Sequence, residues 1–331
     1  MIGSTVVVSV CCITYNQQKY IKKCLDSILM QKTNFQYEII IYDDASTDET
    51  PKILKDYKNR FGDRIKLVLQ QKNQWSQGRM VLKDFVFPLV QGKYIAFCEG
   101  DDYWTDINKL QKQFDAMEKD RGASWSTHYV QCVNEDGSEI LGLTLPPTKE
   151  QPECNTVFSS EETIDFIIEN GLQMTSYFIR TDLFRNFFIK SPQFITAASP
   201  VSDEAIVRYC AAAGEMVFIP NSMSCYRMQA KGSWTSSNEN NNLKMANHYH
   251  KMIDMIDLFD EYTHNKYSKI IAKDRIDKEW KAAWYAKDYR ALMSKKFSSK
   301  RKKLALKSRI KLVVLSVVKT LSNILKKPLH E

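Results

Sequence analysis

The stretch Cys98–Trp104, with the sequence CEGDDYW, decides the fold, and it directly follows the apolar run Tyr94–Phe97. A short apolar run that ends in a polar turn predicts a buried strand. Three carboxylates, Glu99, Asp101 and Asp102, stand where that strand ends. Because neighbouring carboxylates repel one another and lose hydration, we expect a bound cation to compensate them. A divalent metal held by one or two carboxylates and by ligand phosphates fits that need. The alternative is a solvated acidic turn.

Two earlier apolar runs also end in polar residues. Residues 5–13 lead into Thr14-Tyr15-Asn16, and residues 37–42 lead into Asp43-Asp44. A helical pattern of apolar residues follows each run. Strands without alternation, separated by amphipathic helices, indicate a parallel sheet covered on both faces. Ligands bind beyond the carboxyl ends of such strands, so we expect these polar residues and the acids after Phe97 to line one crevice.

Further patterns complete the series of elements. Strands are predicted over residues 65–69, 172–180 and 216–220, and helices over 80–90, 202–213, 243–264 and 266–292. A turn signal at residues 134–137 predicts a hairpin, and Ser159 with Glu162 forms a capping-box pattern. The sequence therefore predicts an α/β fold, Rossmann-like, with a mostly parallel central sheet, flanking helices and a C-terminal helical extension.

The composition is that of a soluble globular protein. The 331 residues are 44% hydrophobic and 26% charged, enough for one large domain with appendages or for two domains. Eight scattered cysteines without a Cys-x-x-Cys pair favour reduced core thiols and a cytoplasmic location. The start of the chain has no pattern of a secretory signal, which agrees with that expectation. The five histidines show no metal-ligand spacing, since His248 and His250 do not share a helix face.

The basic charge is concentrated at the C-terminal end. Residues 289–331 hold 13 Lys and Arg and one Glu, a net of +12, so the chain's total of +8 leaves −4 for the rest. From Leu306 apolar residues recur at helical spacing, at positions 310, 313, 314, 317, 318, 321, 324 and 325. This cationic amphipathic pattern predicts a helix that lies on the inner face of the cell membrane. A helix docked on the protein is the alternative; a nucleic-acid tail is disfavoured because it would not use the apolar face.

The motifs of residues 5–118 resemble, in order and spacing, those of family-2 glycosyltransferases of the GT-A type. The resemblance rests on Tyr15-Asn16, Cys24–Ile28 with Gln31, Tyr42–Thr50, Gly92–Phe97, Glu99–Trp104 and Lys109-Leu110. It extends more loosely to residue 237, through Thr175–Arg180, Asp203 and Tyr226-Arg227. The resemblance implies a GT-A catalytic domain over residues 1–237, divided into a nucleotide-sugar half (1–118) and an acceptor half (119–237). A helical extension (238–295) and the basic tail (296–331) would follow.

The resemblance also implies roles for individual residues. Tyr15 would lie against the nucleobase, Asp43 would accept from the base edge, and Asp101 and Asp102 would hold Mn²⁺ or Mg²⁺. Glu99 would face the ribose or the sugar, and Ser46 and Asp48 would shape their turn. The expected nucleotide-sugar contacts are Tyr15, Asn16, Asp43, Asp44, Ser46, Asp48, Asn73, Gly78, Arg79, Glu99, Asp101, Trp104 and Arg227. From the residues alone, Asp43-Asp44 could instead cap the following helix, and Trp104 and Trp234 could be core aromatics.

Asp203 matches the family's catalytic base, although the adjacent Glu204 is an alternative and Asp203 could be only a helix cap. Many relatives have the motif Tyr-Arg-x-His, and this chain has Gln229 at the position of the His. The neutral amide of Gln229 cannot bind a metal as an imidazole does and cannot act as a proton donor. Arg227 or Lys231 would then supply positive charge near the diphosphate.

Together these features predict a glycosyltransferase that moves a sugar from a nucleoside-diphosphate sugar, with a UDP-sugar as the first expectation. The acceptor would be a saccharide or a lipid-linked saccharide of surface-polysaccharide biosynthesis, and the transfer would invert the anomeric carbon. No nucleic-acid partner is expected. The alternative from another class is a non-catalytic module that binds nucleotide sugars or glycans. A sugar nucleotidyltransferase is disfavoured because no Gly-rich, basic phosphate loop follows the first strand.

Overall fold

The computed structural model describes residues 5–143, 152–197, 202–228, 230–231, 233, 237–238 and 240–325. The chain divides into two compact units, residues 1–237 and 238–331. The finer boundaries expected at residues 118 and 295 stay predictions.

The first unit is built on one mixed sheet. Its strands are β1 Val6–Thr14, β2 Gln36–Asp43, β3 Ile65–Leu69, β4 Tyr94–Phe97, β5 Tyr103–Trp104, β6 Trp125–Val133, β7 Ile140–Leu143, β8 Thr156–Phe158, β9 Phe178–Arg180 and β10 Met216–Arg227. The order is β3-β2-β1-β4-β9-β6-β10-β5, with β7 beside β6 and β8 beside β10. Strands β1 to β4 pair in parallel, as do β6 and β10, whereas β5, β7, β8 and β9 pair antiparallel. The predicted α/β fold is confirmed; the sheet is parallel over β3-β2-β1-β4 and mixed beyond β4.

Helices pack against this sheet and share its hydrophobic core. They are α1 Ile21–Leu29, α2 Thr50–Phe61, α3 Lys109–Lys119, α4 Ser160–Asn170, α5 Thr181–Lys190, α6 Gln193–Ala197 and α7 Ser202–Ala213. Helix α1 buries Ile21, Cys24, Leu25 and Ile28 on one face, as its apolar spacing predicts. The predicted capping box is confirmed, because Ser159 Oγ accepts from the Glu162 N–H and the Glu162 carboxylate accepts from the Ser159 N–H.

Three predicted elements differ from the structure. The helix predicted over 266–292 is divided into Ser268–Tyr285 and Tyr289–Leu292, with Lys287 at a φ of 53° between them. Residues 80–90 do not form a regular α-helix: Leu82–Val86 is a π-helix and Phe87–Leu89 a 3₁₀ turn. Pro88 lacks an N–H and restricts the backbone before it, which accounts for the change of helix type. The strand predicted over 172–180 is shortened to β9, because Met174–Ser176 forms a 3₁₀ turn.

The second unit is helical. Its elements are α8 Asn242–Tyr262, α9 Ser268–Tyr285, α10 Tyr289–Leu292, α11 Ser298–Lys303 and α12 Leu306–Leu325. Helix α12 inserts the buried Leu312 beside Trp280, Leu292 and Phe297. The opposite side of α12 stays exposed and is described below. Among the described residues, no helix has the length and apolarity needed to cross a bilayer.

Candidate active site

The pairing of the central strands brings three polar loops to one edge of the sheet. Thr14 lies opposite Asp43, and Cys11 lies opposite Phe97, so β1, β2 and β4 end together. The Asp44 N–H donates to the Thr14 carbonyl at 3.1 Å, and the Gly100 N–H donates to the Ile13 carbonyl at 2.9 Å. The polar loops thus meet at one edge of the sheet, as predicted from the strand ends, and the crevice between them stays a prediction.

The loops after β1 and β2 hold each other in strained conformations. Asn16 and Ala45 have φ angles of 54° and 63°, which non-glycine residues adopt only where the surroundings enforce them. The Asn16 N–H donates to Ser46 Oγ at 2.7 Å, and Ser46 Oγ donates to Asp43 Oδ1 at 2.5 Å. Asn16 Oδ1 in turn accepts from the Thr47 N–H at 2.8 Å. This network supports a rigid binding edge, since its hydrogen bonds hold both strained conformations in place.

Tyr15 projects from this edge and is 40% exposed, so part of its ring is available to a planar group. Asp43 is buried, and burial is the main cause that raises the pKa of its carboxyl. Asp48 accepts from the N–H groups of Gln18 at 3.1 Å and Thr50 at 2.9 Å. Asp48 thus shapes the turn, as predicted, and the nucleotide contacts of Tyr15 and Asp43 stay predictions.

Asp44 anchors the next loop. Its Oδ1 accepts from Tyr42 Oη at 2.8 Å and from the Gln74 N–H at 2.7 Å, while Oδ2 accepts from the Trp75 N–H at 3.1 Å. Asn73 closes the contact by donating from Nδ2 to the Asp44 carbonyl at 3.2 Å. Both carboxylate oxygens are used by protein donors, so this structure gives Asp44 a scaffolding role; its predicted contact with a donor stays untested.

The loop held by Asp44 exposes several groups. Gly78 has a φ of 75° and ends a 3₁₀ turn, which explains why a glycine stands there. Arg79 donates from Nε to Asp84 at 2.8 Å and remains half-exposed. Trp75 is also exposed, next to the Asp44 anchor, and it was not among the predicted site residues.

The acids after β4 form the electrostatic centre of the site. Asp102 is 1% exposed, and burial, followed by the charges of Asp101 and Glu99, raises the pKa of its carboxyl well above the usual range. Burial and the charges of Asp101 and Asp203 raise the pKa of Glu99 to about 8. Burial also raises the pKa of Asp101, against the opposing effects of a hydrogen bond from Gln17 and the charge of Arg227. The acids therefore lie close together rather than apart in solvent.

The residues present fit a divalent cation. Asp102 Oδ1 accepts from the Arg227 N–H at 3.0 Å, whereas Oδ2 is buried and has no hydrogen-bond partner within the described part of the chain. A buried carboxylate oxygen without a donor is costly, and a metal would satisfy it. Among the described residues, no three Asp, Glu, His or Cys side chains form a metal site by themselves. A cation at this position would be held by one or two carboxylates and completed by ligand phosphates.

Gly100 is required by the close approach of this loop to β1. A Cβ at position 100 would lie 2.2 Å from Gln17 Oε1, 2.7 Å from Thr14 Oγ1 and 2.8 Å from Thr14 Cβ. Thr14 Oγ1 and Gln17 Oε1 are themselves hydrogen-bonded at 2.8 Å, so neither moves without losing a contact.

Gly100→Ala is therefore expected to lower the free energy of unfolding by about 1–3 kcal/mol, because the added methyl overpacks a buried contact. Urea denaturation followed by circular dichroism measures this. Gly122→Ala is the matched control, since its Cβ would meet only ordinary contacts at 3.5 Å. Equal stabilities of the two variants would contradict the packing argument.

Helix α7 presents the candidate base. Asp203 and Glu204 stand in its first turn, where an acid interacts favourably with the helix dipole. Asp203 is exposed, and its charge raises the pKa of Glu99, which places it beside the acids after β4. Glu204 instead accepts from Arg208 Nη2 at 2.9 Å. Glu204 is engaged in an ion pair, and Asp203 acts on the acid cluster; the assignment of Asp203 as the base stays a prediction.

One predicted contact needs correction. Trp104 was expected to touch the donor, but it is 1% exposed, and its indole N–H donates to the Thr175 carbonyl at 3.2 Å. Its ring is enclosed by the protein interior and its only polar group is used by Thr175, so Trp104 is a core aromatic. It packs against the fully buried Lys109, whose Nζ lies 4.1 Å from the ring centroid and donates to Gln113 Oε1 at 2.6 Å.

Lys109 gives the first unit a pH-dependent stability. Burial lowers the pKa of Lys109 to about 7, while the charges of Cys98 and Asp106 act in the opposite direction. The unfolded chain then binds more protons between about pH 7 and 10.5, so stability rises with pH across that interval. His128 is buried nearby, and its pKa is lowered by burial and by the Lys109 charge.

Relative to Lys109→Met, the wild type is expected to gain on the order of 2 kcal/mol of unfolding free energy between pH 6.5 and pH 9. Urea denaturation of both proteins at the two pH values measures the difference. The comparison uses the change with pH, because the variant also leaves Gln113 Oε1 without its donor at every pH. A difference independent of pH would show that Lys109 is charged throughout.

Some residues at the site were not predicted. Gln17, in the loop after β1, forms a hydrogen bond with Asp101, and Tyr20 Oη donates to Glu135 at 2.7 Å. The pKa of Tyr226 is raised by burial and by the charges of Asp102, Glu99, Asp101 and Asp203. No local pattern marks Gln17 or Tyr20, because their roles depend on contacts with distant loops. Tyr226 could have been found from its place beside Arg227. Gln229 and Trp234 lie outside the described residues.

Comparison with known proteins agrees with this geometry. Residues 9–155 match the model of glycosyl transferase family 2. An uncharacterised protein of Mycobacterium tuberculosis is 32% identical over 233 residues, which cover 69% of this chain and 61% of that protein. The putative teichuronic acid biosynthesis glycosyltransferase TuaG of Bacillus subtilis is 34% identical over 134 residues, 40% of this chain and 50% of the relative.

Solved structures show the same fold. Staphylococcus aureus TarS 1-349, in complex with UDP-GlcNAc, has a TM-score of 0.60 at 18% identity, and the match covers 94% of this chain and 79% of that one. The fold is similar to that of GT-A glycosyltransferases. Over residues 9–155 the chain is similar to the proteins of glycosyl transferase family 2. It spans about 61% of the length of the first curated relatives that it matches.

Proposed function

We propose that this chain transfers a sugar from a nucleoside-diphosphate sugar, a UDP-sugar in the first instance, to a hydroxyl group of a saccharide. The observation that carries the proposal is the convergence of Glu99, Asp101, Asp102 and Asp203, from the loop after β4 and from α7, on one sheet edge. Such a concentration of acids would repel a diphosphate unless a cation is bound with it. The acids therefore favour a ligand that brings a metal, as nucleoside diphosphates do.

The roles proposed for the residues follow from their surroundings. The exposed ring of Tyr15 stacks on the nucleobase, while Asp43 accepts from the base edge. Asp101 and Asp102 would hold Mn²⁺ or Mg²⁺, which when bound offsets the charge of the departing diphosphate. Asp203 takes the proton of the acceptor hydroxyl, whose own pKa is too high for it to ionise unaided. Glu99 faces the sugar or ribose.

A single displacement at the anomeric carbon inverts its configuration. Asp203 is exposed at the start of α7, where an acceptor hydroxyl could reach it, and we assign the base to it for that reason. The crevice aligns the acceptor hydroxyl with the anomeric carbon, and this alignment lowers the entropic part of the activation barrier. Analysis of the product's anomeric configuration by NMR tests inversion; a retained configuration would refute it.

A thermal-shift and turnover screen of nucleotide sugars, each with Mn²⁺ or Mg²⁺, tests the proposed activity. The expected result is stabilisation by one donor with metal, together with release of its nucleoside diphosphate when acceptors are added. A non-catalytic nucleotide-sugar module is the alternative. It would be stabilised by the same ligand but would release no nucleoside diphosphate with any metal, and that result would overturn the enzymatic proposal.

The proposed acceptor is a glycan or lipid-linked saccharide of surface-polysaccharide biosynthesis. The similarity to TuaG, a putative glycosyltransferase of teichuronic acid biosynthesis, supports a polysaccharide. We also propose that the protein works in the cytoplasm, peripherally bound to the inner face of the membrane. Helix α12 supports this, because Leu306, Ile310, Val313, Val314, Val317 and Val318 are exposed on it. At helical spacing these six residues form one apolar stripe, while Leu312 packs on the other side.

If the stripe enters a membrane, Ile310→Asp with Val314→Asp should weaken binding to anionic vesicles at least tenfold, because two apolar side chains no longer enter the lipid. Vesicle sedimentation at fixed salt measures binding. Ser298→Asp with Ser299→Asp is the control, since it adds the same charge outside the stripe. Equal losses in the two variants would assign the binding to net charge alone, and no loss in either would refute membrane docking.

A further inference from the structure

Arg227 contacts several separate parts of the site. It is only 3% exposed, although its side chain is charged. Its backbone N–H donates to Asp102 Oδ1 at 3.0 Å, and its Nε donates to the Asp101 carbonyl at 2.7 Å. Arg227, at the end of β10, therefore contacts both acids proposed as metal ligands, and both contacts are hydrogen bonds.

The guanidinium also binds the turn between β6 and β7. Nη1 of Arg227 donates to the Glu135 carbonyl at 2.9 Å, and Gly137 lies so near that an added Cβ would be 2.8 Å from Nη1. Asn134 and Gly137 close that turn with a backbone hydrogen bond of 3.0 Å. A surface turn that is distant in sequence from the acids thus contacts the same guanidinium that donates to the Asp101 carbonyl.

Two aromatic rings enclose this guanidinium. Its carbon lies 4.9 Å from the ring centroid of Tyr20 and 5.1 Å from that of Tyr103. Tyr20 is fixed at its hydroxyl, which donates to Glu135 Oε1 at 2.7 Å and accepts from the Lys231 N–H at 3.2 Å. Cation–π contacts with two rings stabilise the charge and fix the plane of the guanidinium.

We propose that Arg227 is a positioning residue for the metal-binding acids, and that the turn at residues 134–137 acts on those acids through it. The inference rests on the proposed metal role of Asp101 and Asp102. It assigns Arg227 to the support of the acid loop, where the sequence had suggested direct contact with the donor. Groups that orient metal ligands in this way affect metal affinity nearly as strongly as the ligands themselves.

The geometry requires arginine rather than any cation. Nε and Nη1 donate in two directions from one plane, to the carbonyls of Asp101 and Glu135. A lysine ammonium is a single point on a flexible stem and has no planar fork for this arrangement. Arg227→Lys keeps the charge and removes the fork, so the two contributions are separable.

The test measures Mn²⁺ affinity in the presence of UDP, from the electron paramagnetic resonance signal of free Mn²⁺. Arg227→Lys is expected to weaken Mn²⁺ binding roughly 10–100-fold. In Gly137→Ala the added methyl group lies against the same guanidinium, on the side of the surface turn. We expect this variant to bind Mn²⁺ more weakly as well. Gly62→Ala is its control: both glycines have positive φ, at 75° and 58°, but Gly62 has no atom within 4 Å of an added Cβ.

The outcomes separate this inference from the function on which it rests. Weakened Mn²⁺ binding in Arg227→Lys and Gly137→Ala, but not in Gly62→Ala, supports the inference. Should Arg227→Lys fail to fold, Gly137→Ala against Gly62→Ala decides alone. If the variants bind Mn²⁺ as the wild type does, the positioning role is refuted and the proposed metal site stands. If the wild type itself binds no Mn²⁺ with UDP, the metal part of the proposed function falls, and this inference with it.

Discussion

Asp102→Asn is expected to abolish sugar transfer, lowering kcat/KM by about a thousandfold or more, while leaving the metal-free protein at least as stable as the wild type. The loss of activity follows because a neutral amide holds a divalent cation far less well than a carboxylate, and metal assistance is worth several kcal/mol in the transition state. The amide oxygen can still accept from the Arg227 N–H, so the loop keeps its anchor.

The stability of this variant reflects the charge that it removes. Burial and the charges of Asp101 and Glu99 raise the pKa of Asp102, so the folded state loses stability as pH rises from the ordinary pKa of 3.8 towards the folded pKa. At neutral pH the uncharged amide of Asp102→Asn avoids this loss of unfolding free energy. Its unpaired amide N–H lowers the unfolding free energy by about 1–3 kcal/mol in turn. The advantage of the variant should shrink as pH falls, because the wild-type carboxyl then takes up a proton.

Thermal unfolding with and without Mn²⁺ and UDP measures both effects. The wild type should be stabilised by the ligands, since they bind only the folded state, and Asp102→Asn should not respond to Mn²⁺. Asp106→Asn is the control: Asp106 is a nearby acid in the sequence that pairs instead with Lys112 at 2.7 Å. Transfer at the wild-type rate by Asp102→Asn would remove Asp102 from the proposed metal site.

The sequence predicted the parts of the site that depend on local order along the chain. Apolar runs ending in Asp43-Asp44 and in Glu99–Asp102 predicted parallel strands whose ends meet, and the register of β1 with β2 and β4 confirms this. Position at the end of a parallel strand suffices to place a residue at the crevice.

The sequence could not predict which side chains point outward. Trp104 stands in a motif of acids, yet β5 pairs with β10, and this pairing turns the indole into the core. The same distant pairing brings Arg227 to Asp101 and Asp102, 125 residues away for the contact with Asp102. Such contacts depend on tertiary packing between remote elements, for which periodicity carries no signal.

Asp203→Asn and Glu204→Gln are expected to have opposite effects, although the two acids are adjacent. Loss of the base should lower kcat of Asp203→Asn by roughly 10²–10⁴-fold, with the free energy of unfolding nearly unchanged, because Asp203 is exposed. Glu204→Gln should keep kcat within a few-fold. It should instead lose about 1–3 kcal/mol of stability, since the buried Arg208 guanidinium loses its ion pair at 2.9 Å.

Transfer assays at saturating donor, together with urea denaturation, measure the two quantities for each variant. Binding of the donor provides the internal check: Asp203→Asn should bind a nucleotide sugar as the wild type does, because the proton is taken only as the acceptor attacks. A large loss of kcat in Glu204→Gln with its stability intact would exchange the roles of the two acids. Because Asp203 also raises the pKa of Glu99, its removal should lower that pKa and leave Glu99 more fully ionised at neutral pH. The proton-accepting group and the acids after β4 therefore form one electrostatic unit, and a variant of either changes the charge of the other.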